Sequence, residues 1–340
     1  MFKKDYAGRL KNIQKLILII LPAAVFFICL CLGRMYISPK DVLSAIAGKR
    51  ETASDPASRT ITVIRSIRIP RLILAAVTGT GLSVAGCTFQ NLYRNPLATP
   101  DTLGVASGAG FGACLALIAG FDMKGVQISA LLSGLSAVIL TRLSGIGSKN
   151  EKHTPVLAGI IIGSLFNSLI SLVKFAADTE SQLPAITYWL MGSMESAGYD
   201  SLRLGVPPVI ICTAVLLLLR WKMNLLPLSE DEAVSLGVNI RALHPVCELC
   251  AAMITASCVS MCGQVGWVGL IVPHICRMIY GGNNVSLIPA CVSIGAAFMM
   301  AIDTAARTVS PKEIPISVLT AIAGAPFFIC LLKRRGGWEL

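Results

Sequence analysis

Few residues of this chain have the types and spacing that covalent chemistry needs. The run Gly145-Ile146-Gly147-Ser148-Lys149 combines glycines with a lysine, but it lacks the GxxxxGK[ST] spacing with which backbone amides cradle phosphate groups. No paired carboxylates and no nucleophile–base set stand out in the rest of the sequence. We therefore predict that the chain is not an enzyme and has no ATPase site of its own.

Metal ligands are equally sparse. The chain has twelve cysteines and three histidines, His153, His244 and His274. Cys247 and Cys250 form its one CxxC pair, whereas a zinc site needs further ligands at a suitable spacing. Nearly all the cysteines lie in apolar stretches, where cysteine acts as a small hydrophobic residue. We predict no metal site and no cofactor, and the sequence leaves the redox state of the cysteines open.

The composition of the chain predicts that most of it forms membrane-spanning helices. Of the 340 residues, 54% are hydrophobic and 14% charged, and the mean hydropathy is +0.73. A helix that crosses a bilayer needs about 20 mostly apolar residues, and the sequence contains ten such segments. They cover residues 15–33, 72–90, 102–121, 126–144, 156–176, 205–221, 243–262, 265–281, 285–303 and 315–332. No loop between them is long enough for a separate core, so we predict a single transmembrane domain over residues 1–340.

The basic residues indicate the orientation of these spans. The net charge is +11, but the positive residues bracket apolar spans, which predicts a membrane lipid environment and no nucleic-acid partner. The first apolar run resembles a signal peptide but lacks a small-x-small cleavage site, so we interpret it as a retained span. If ten spans alternate, the basic N-terminus, the 142–152 loop, residues 220–222 and the basic C-terminus share one side. Both termini are then predicted to be cytoplasmic.

One basic cluster breaks this positive-inside pattern. Arg59, Arg65, Arg68 and Arg71 fall in the predicted first external loop, residues 34–71. Because arginines on the external side oppose the positive-inside rule, we expect this cluster to have a function. Within the spans, charge is scarce, with Lys174 and Asp303 near predicted external ends and Glu248 near a predicted internal end. Ion-driven transporters usually carry ionisable groups at the membrane midplane, so this scarcity favours an energy source in another subunit.

The stretch RNPLATPDTLGVASGAG, residues 94–110, interrupts the helical pattern between the second and third spans. Pro96 and Pro100 break helix continuity, while Asn95 and Asp101 can satisfy freed backbone groups. Small residues then begin a helix suited to close packing in a membrane. Similar patterns recur in CGQVGWVGLIVPHICR and LTAIAGAPFFICLL. Each such stretch either lines a protein-covered cavity or serves tight packing alone.

A short helix is predicted in the cytoplasmic loop 222–242. Ser229 and Glu232 form a capping box, and Gly237 supplies the stop. Its apolar residues Ala233, Val234 and Leu236 are expected to be exposed. The helix either lies against the bundle or docks a cytoplasmic partner. On the predicted external side, Ser38 is expected to cap a helix that starts at Pro39, and residues 178–204 are expected to contain a surface helix.

Four stretches, in order along the chain, resemble the permease subunits of ABC importers for iron–siderophore complexes, haem and cobalamin. They are IRIPRLILAAVTGTGLSVAGCTFQNLYRNPLATPDTLGVASGAG (67–110), VGLIVPHICR (268–277), DTAAR (303–307) and IAGAPFFICLL (322–332). The resemblance implies an all-α, polytopic type II importer fold with about ten transmembrane helices. It also implies two permease subunits, two cytoplasmic ATP-binding subunits and an extracytoplasmic substrate-binding protein.

The resemblance further implies roles for particular residues. Arg68, Arg71 and Arg307 are expected to face outward and pair with acidic residues of the binding protein. For Arg68 and Arg71 the alternative is that the side chains extend toward lipid headgroups. The helix with Ser229, Glu232, Ala233, Val234, Leu236 and Gly237 resembles the coupling helix that docks on the ATPase. The loop Lys152-His153-Thr154-Pro155 resembles the cytoplasmic gate, and spans 156–176 and 315–332 resemble the pathway helices. The remaining motif and pathway residues are Gln90, Asn95, Pro96, Pro273, His274, Arg277, Pro315 and Ser317.

The sequence departs from the usual pattern at Thr99, where an acidic residue is common, and at Trp267, where Phe is usual. Ser317 replaces the Gly that normally ends the E-x-P-x-G motif, which leaves the substrate assignment open. We predict a homodimeric permease of a bacterial cytoplasmic membrane that passes a ferric siderophore. Cobalamin or haem, a paralogous second subunit, and a stand-alone secondary transporter are the alternatives.

Overall fold

The computed structural model describes residues 10–47, 60–145, 154–195, 197–310 and 312–333, and within these ranges the chain forms helices and turns without strands. The α-helices are α1 Asn12–Cys31, α2 Pro39–Ile46, α3 Ile69–Leu92, α4 Val105–Ile118, α5 Met123–Gly145, α6 Thr154–Ala176, α7 Gln182–Leu190, α8 Tyr199–Leu219, α9 Glu230–Ser235, α10 Ile240–Cys262, α11 Val268–Tyr280, α12 Asn284–Thr308 and α13 Ile316–Lys333.

Each of the ten predicted spans coincides with a helix. In the described ranges, seven helices are long and apolar enough to cross a membrane, and three shorter apolar ones, Val105–Ile118, Val268–Tyr280 and Ile316–Cys330, fill the remaining predicted spans. Irregular backbone precedes each short helix, at residues 94–104, at 263–267, and at 309–310 with 312–315. The all-α polytopic fold predicted from the sequence is confirmed.

Contacts between helix ends show that α3 and α12 run in opposite directions. The Asn91 amide at the end of α3 donates to the Asn284 side chain at the start of α12, at 2.7 Å. The opposite ends of the same helices meet through Arg71 and Asp303. We call the end that carries α9 and Arg142 the inner end, and the end that carries α2, α7 and Arg71 the outer end, following the predicted topology.

Helix α3 lies at the centre of the bundle, and its glycines allow very close packing. A Cβ atom on Gly86 would lie 1.9 Å from the carbonyl oxygen of Gly269 at the start of α11. One on Gly79 would lie 2.1 Å from the carbonyl oxygen of Gly295 in α12. Small residues bring membrane helices into backbone contact in this way.

The predicted external loop 34–71 is wrong in its second half. The chain is already helical from Thr60, with a π-helical turn over Val63–Arg68 that continues into α3. Arg65, Arg68 and Arg71 therefore lie on a helix. A hydropathy window ends a span at clustered arginines, but here bonds to other elements within the protein satisfy the guanidinium groups of these residues.

The two predicted surface helices are present at the outer end. Ser38 accepts a hydrogen bond from the Asp41 amide at 3.3 Å and caps α2, with Pro39 as its first residue. Helix α7 lies within the predicted segment 178–204.

All twelve cysteines are free thiols; Cys330 is exposed, Cys212 half-buried, and the others are buried. No group of three or more His, Cys, Asp or Glu side chains in the described ranges could hold a metal ion.

Candidate functional site

Arg71 is the centre of an ion-pair network at the outer end. Its Nε donates to Asp303 Oδ1 at 2.9 Å, and its two terminal nitrogens reach the two carboxylate oxygens of Glu313 at 3.0 and 2.9 Å. Arg71 and Asp303 are buried, whereas the Glu313 side chain is 19% exposed. Paired carboxylates offset the cost of holding a guanidinium inside the protein. Arg34, which is largely exposed, lies 3.9 Å from Glu313.

The two other predicted docking arginines are also held by this chain. Arg68 donates to the backbone carbonyls of Leu30, Cys31 and Met35 between α1 and α2. Arg307 donates to the Cys29 carbonyl at 2.8 Å, and its Nε lies 3.7 Å from Asp303. A Cβ atom on Gly33 would lie 3.2 Å from Arg307 Nη1 and closer still to Arg68, so glycine leaves room for both guanidinium groups.

Arg68, Arg71 and Arg307 are all buried at the outer end. Their exposed fractions are 4%, 7% and 7%, because bonds to α1, α12 and residue 313 draw the side chains inward. The three do lie together at the outer end. Their role in docking a binding protein stays a prediction.

At the inner end, α9 has the predicted capping box. The Ser229 amide donates to the Glu232 carboxylate at 2.9 Å, and the Glu232 amide donates to the Ser229 hydroxyl at 3.4 Å. Bonds from the Ser229 amide and hydroxyl lower the pKa of Glu232, so this carboxylate is charged at neutral pH. Gly237 adopts the left-handed conformation at a φ of 77° and ends the helix.

The apolar residues of α9 divide between two faces. Val234 and Leu236 are 64% and 56% exposed, as expected, whereas Ala233 is fully buried. The expectation that Ala233 is exposed is therefore wrong: the Val238 amide folds back onto the Ala233 carbonyl at 2.9 Å and turns this face toward the bundle. Val234 and Leu236 therefore form the exposed apolar surface at this helix.

Arg94 connects α9 to the segment 94–104. Its guanidinium donates to the carbonyls of Leu226 and Leu228, at 3.2 and 3.1 Å, directly before the capping residue Ser229. Arg94 itself has a left-handed φ of 50°, a costly conformation for a residue other than glycine.

The segment 94–104 has the local structure that its sequence predicts. The Asn95 side chain accepts from the Leu97 amide at 2.9 Å, and the Asp101 side chain accepts from the Ala106 amide at 3.0 Å. Residues Pro100–Leu103 form a 3-10 turn that ends at Gly104, whose φ is 70°. The turn lies against α6, since a Cβ atom on Gly159 would lie 2.0 Å from the Thr102 carbonyl oxygen.

Helix α6 carries an uncharged polar stripe. Ser164, Asn167, Ser168 and Ser171 are exposed and share one face at helical spacing. Each serine hydroxyl donates to the carbonyl four residues earlier, for example Ser168 to Ser164 at 3.0 Å. On the adjacent face, Ile161, Leu165 and Leu172 form an exposed apolar stripe. Polar groups within a membrane span mark a water-filled cavity or a protein contact.

The second predicted pathway helix, α13, is anchored at its start. The Ser317 hydroxyl donates to the Met191 carbonyl at 2.6 Å, and the Ile316 amide donates to the Gly192 carbonyl at 3.1 Å. Pro315 immediately precedes the helix. The hydroxyl at position 317, the departure from the E-x-P-x-G motif, is therefore bonded to the backbone that follows α7.

Helix α13 also packs against α11. The His274 ring lies 6.0 Å from the rings of Phe327 and Phe328. Trp267 begins α11 with a left-handed φ of 68°, and a Cβ atom on Gly324 would lie 2.6 Å from its ring. Pro273 is buried within α11.

Arg277 and Gln90 join α11 to the inner half of α3. The Arg277 guanidinium donates to the Gln90 side-chain oxygen, and the Gln90 amide donates to the Gly269 carbonyl at 3.3 Å. Gly269 before Pro273 and Arg277 after it thus both connect α11 to Gln90 of α3.

Sequence reasoning missed an ion pair at the inner end. Arg142 at the end of α5 lies 2.8 Å from Glu248 in α10, and His244 lies 3.5 Å from the same carboxylate. Glu313 was missed as well. Opposite charges at the ends of predicted spans were the available signal for both sites.

Of the predicted gate, Lys152 and His153 lie outside the described residues. Thr154 and Pro155 form the first turn of α6.

The sequence model of the FecCD transport family matches residues 18–334 of this chain. The chain belongs to the FecCD transport family. It is therefore a polytopic membrane permease of an ABC importer, and it has the type II importer fold.

Related FecCD proteins handle different cargoes. The chain is 40% identical over 278 residues to the molybdate import system permease protein MolB of Haemophilus influenzae, which covers 81% of this chain and 82% of MolB. It is 34% identical to the probable iron chelatin transport system permease protein of Helicobacter pylori, over 81% and 83% of the two chains. A solved inward-facing structure of a metal-chelate type ABC transporter superposes with a TM-score of 0.83 at 37% identity and covers 93% of this chain and 97% of that one.

Proposed function

We propose that this chain, as a single permease domain over residues 1–340, passes a ferric siderophore across the cytoplasmic membrane of a bacterium. A separate pair of ATP-binding subunits supplies the energy, and the chain itself changes no covalent bond. Both termini are then cytoplasmic.

The polar stripe on α6 is the observation that carries this proposal. Ser164, Asn167, Ser168 and Ser171 offer hydroxyl and amide groups in the middle of a span, without a charged residue among them. Such a face is unfavourable against lipid but suits a hydrated pathway. A bulky chelate needs a broad, weakly binding surface, and a charged stripe would hold it too tightly to release.

The apolar stripe beside it supports a second permease subunit. Ile161, Leu165 and Leu172 are exposed next to the polar face, so a second copy packed on this stripe would place two polar stripes around one pathway. We therefore propose a homodimer, with a paralogous subunit as the alternative.

The inner end supports ATPase docking. Val234 and Leu236 form a small exposed apolar knob on a capped helix, which suits insertion into a groove of the ATPase. Movement of α9 would reach α6 through the Arg94 bonds to Leu226 and Leu228 and the contact of Thr102 with Gly159. ATP binding would then shift the permease between two access states.

A compact oxyanion is the second candidate cargo. It is favoured by the 40% identity to a molybdate permease, and an uncharged stripe would also release an oxyanion readily. Cobalamin and haem remain further alternatives within this mechanism.

Uptake into cells with and without this gene tests the function. We expect the gene to support accumulation of a radiolabelled ferric siderophore, and we expect depletion of ATP to abolish it while collapse of the membrane potential does not. Accumulation of labelled molybdate without accumulation of the ferric siderophore would show that the cargo is an oxyanion. Uptake that follows the membrane potential and survives ATP depletion would indicate a secondary transporter. Purification in mild detergent with mass spectrometry should recover a stoichiometric ATPase.

A further inference from the structure

We infer that Glu313 occupies the position of a carboxylate from the docked acidic partner, and that docking exchanges one carboxylate for the other on Arg71. The inference rests on the proposed function, because it assigns the partner to the extracytoplasmic binding protein. The new element is Glu313, a residue of this chain that competes with the partner for Arg71. Its position just before α13 links docking to that helix.

The outer network has more positive than negative charge. Among the residues that the structure describes, it contains Arg34, Arg68, Arg71 and Arg307 and two paired carboxylates, Asp303 and Glu313. Arg68 has only backbone carbonyls as acceptors in the described structure. The four guanidinium groups therefore exceed the two carboxylates by two charges, which favours an acidic protein surface as the partner.

Of the two carboxylates, only Glu313 can be exchanged. The Asp303 side chain is fully buried and contacts both Arg71 and Arg307. The Glu313 side chain is 19% exposed, belongs to a short segment between helices, and also approaches the exposed Arg34. A partner carboxylate that approaches Arg34 thus arrives beside the Glu313 bond to Arg71. Because one carboxylate replaces another, Arg71 keeps two acceptors throughout.

Release of Glu313 would free the start of α13. Glu313 is followed by Ile314, whose amide donates to the Ala306 carbonyl at 3.2 Å, and by Ile316 and Ser317, which bond to Gly192 and Met191. Together with the bond of Glu313 to Arg71, these bonds attach the start of α13 to α12 and to the residues that follow α7. Docking at Arg71 therefore weakens the attachment of the start of α13. This helix packs against α11, and we propose that it lies beside the pathway.

The test compares Glu313→Gln with Glu195→Gln in the full chain in lipid nanodiscs. Glu195 lies at the same end and accepts from Tyr188 at 2.6 Å, outside the arginine network, so both variants remove one negative charge from one region. The probe is a fluorescent oligoglutamate peptide measured by anisotropy at low salt. Hydrogen exchange of the amides in residues 312–319 is the second readout.

We expect Glu313→Gln to bind the peptide about fivefold more tightly than the parent, the size of one partly exposed ion pair, and Glu195→Gln to gain clearly less. We expect the peptide to speed exchange in residues 312–319 of the parent, and Glu313→Gln to exchange fast without peptide. Equal or weaker binding by Glu313→Gln, equal gains in both variants, or unchanged exchange would each overturn the inference. Recovery of the ATPase tests the proposed function separately, so the two failures are distinguishable.

Discussion

The guanidinium of Arg94 lies 3.1 Å from the carbonyl oxygen of Leu228, and this bond joins the end of α3 to the peptide that leads into α9. The residues after Arg94 pack against α6. The Arg94 side chain therefore connects α9, the helix that we propose docks on the ATPase, to the helix that we propose lines the pathway.

Replacement of Arg94 with Asn should uncouple ATP hydrolysis from uptake. Asparagine tolerates the left-handed backbone at this position, but its side chain is too short to reach Leu226 and Leu228. Loss of two charge-assisted bonds at an exposed site should lower ATP-driven uptake about fivefold. Uptake and ATPase activity measured in the same proteoliposomes check this.

Arg203→Asn is the control, because Arg203 is exposed on α8 beside Asp200 at the outer end. It should transport like the parent. Normal coupled uptake by the Arg94 variant would show that this contact serves only the local fold.

Replacement of Leu236 with Asp should abolish binding of the ATPase. The side chain is 56% exposed on α9, and a carboxylate placed in an apolar groove would pay a desolvation cost without a partner. The measurement is the amount of ATPase that copurifies in mild detergent. Val309→Asp changes an equally apolar, 71% exposed residue near the outer end and should retain the ATPase. If both variants retain the ATPase, α9 does not dock it and has only a structural role.

Cysteine labelling should separate the two stripes of α6. In a background with Cys330 replaced by serine, Ser164→Cys and Ser168→Cys should react with a charged, water-soluble thiol reagent. Leu165→Cys and Leu172→Cys should resist it, since lipid or a second subunit covers that face and thiolate formation needs water. Mass spectrometry of labelled vesicles provides the readout. Equal labelling of the two pairs would contradict a hydrated polar stripe.

Replacement of Gly86 with Ala should destabilise the bundle. The added methyl group would overlap the Gly269 carbonyl at 1.9 Å, so α3 and α11 must separate at a cost of about 1–3 kcal/mol. Thermal unfolding in detergent should show a lowered midpoint. Gly282→Ala is matched in chemistry but meets no atom within 4 Å, and its midpoint should equal that of the parent. An unchanged midpoint in Gly86→Ala would mean that this contact is not tight in the protein.

Periodicity and hydropathy predict most of this fold, because a span must satisfy its backbone internally and so appears as a continuous apolar run. Local signals also succeed: Ser229 with Glu232, Ser38 with Asp41, and Asn95 with the Leu97 amide all form as predicted. Each of these contacts joins residues close together in the chain.

The errors arise where distant residues meet. Arg71 was placed in a loop because its partners, Asp303 and Glu313, lie more than 230 positions later in the chain. Ala233 is the one local exception: its apolar type does not tell which face of the short helix turns toward the bundle, and the Val238 amide bonds back onto its carbonyl on the buried face. Sequence reasoning identifies the residue types that a site needs, but only the packed bundle decides which of them face each other.

Trp267 gives the chain a natural optical reporter. Its indole ring stands at the first turn of α11 against Gly324 and near Phe328 of α13, at 6.1 Å between ring centroids, so any sliding of α13 changes the surroundings of a native fluorophore. Intrinsic emission can therefore follow the transport cycle in real time, with Trp189→Phe, Trp221→Phe and Trp338→Phe removing the signals of the other three tryptophans.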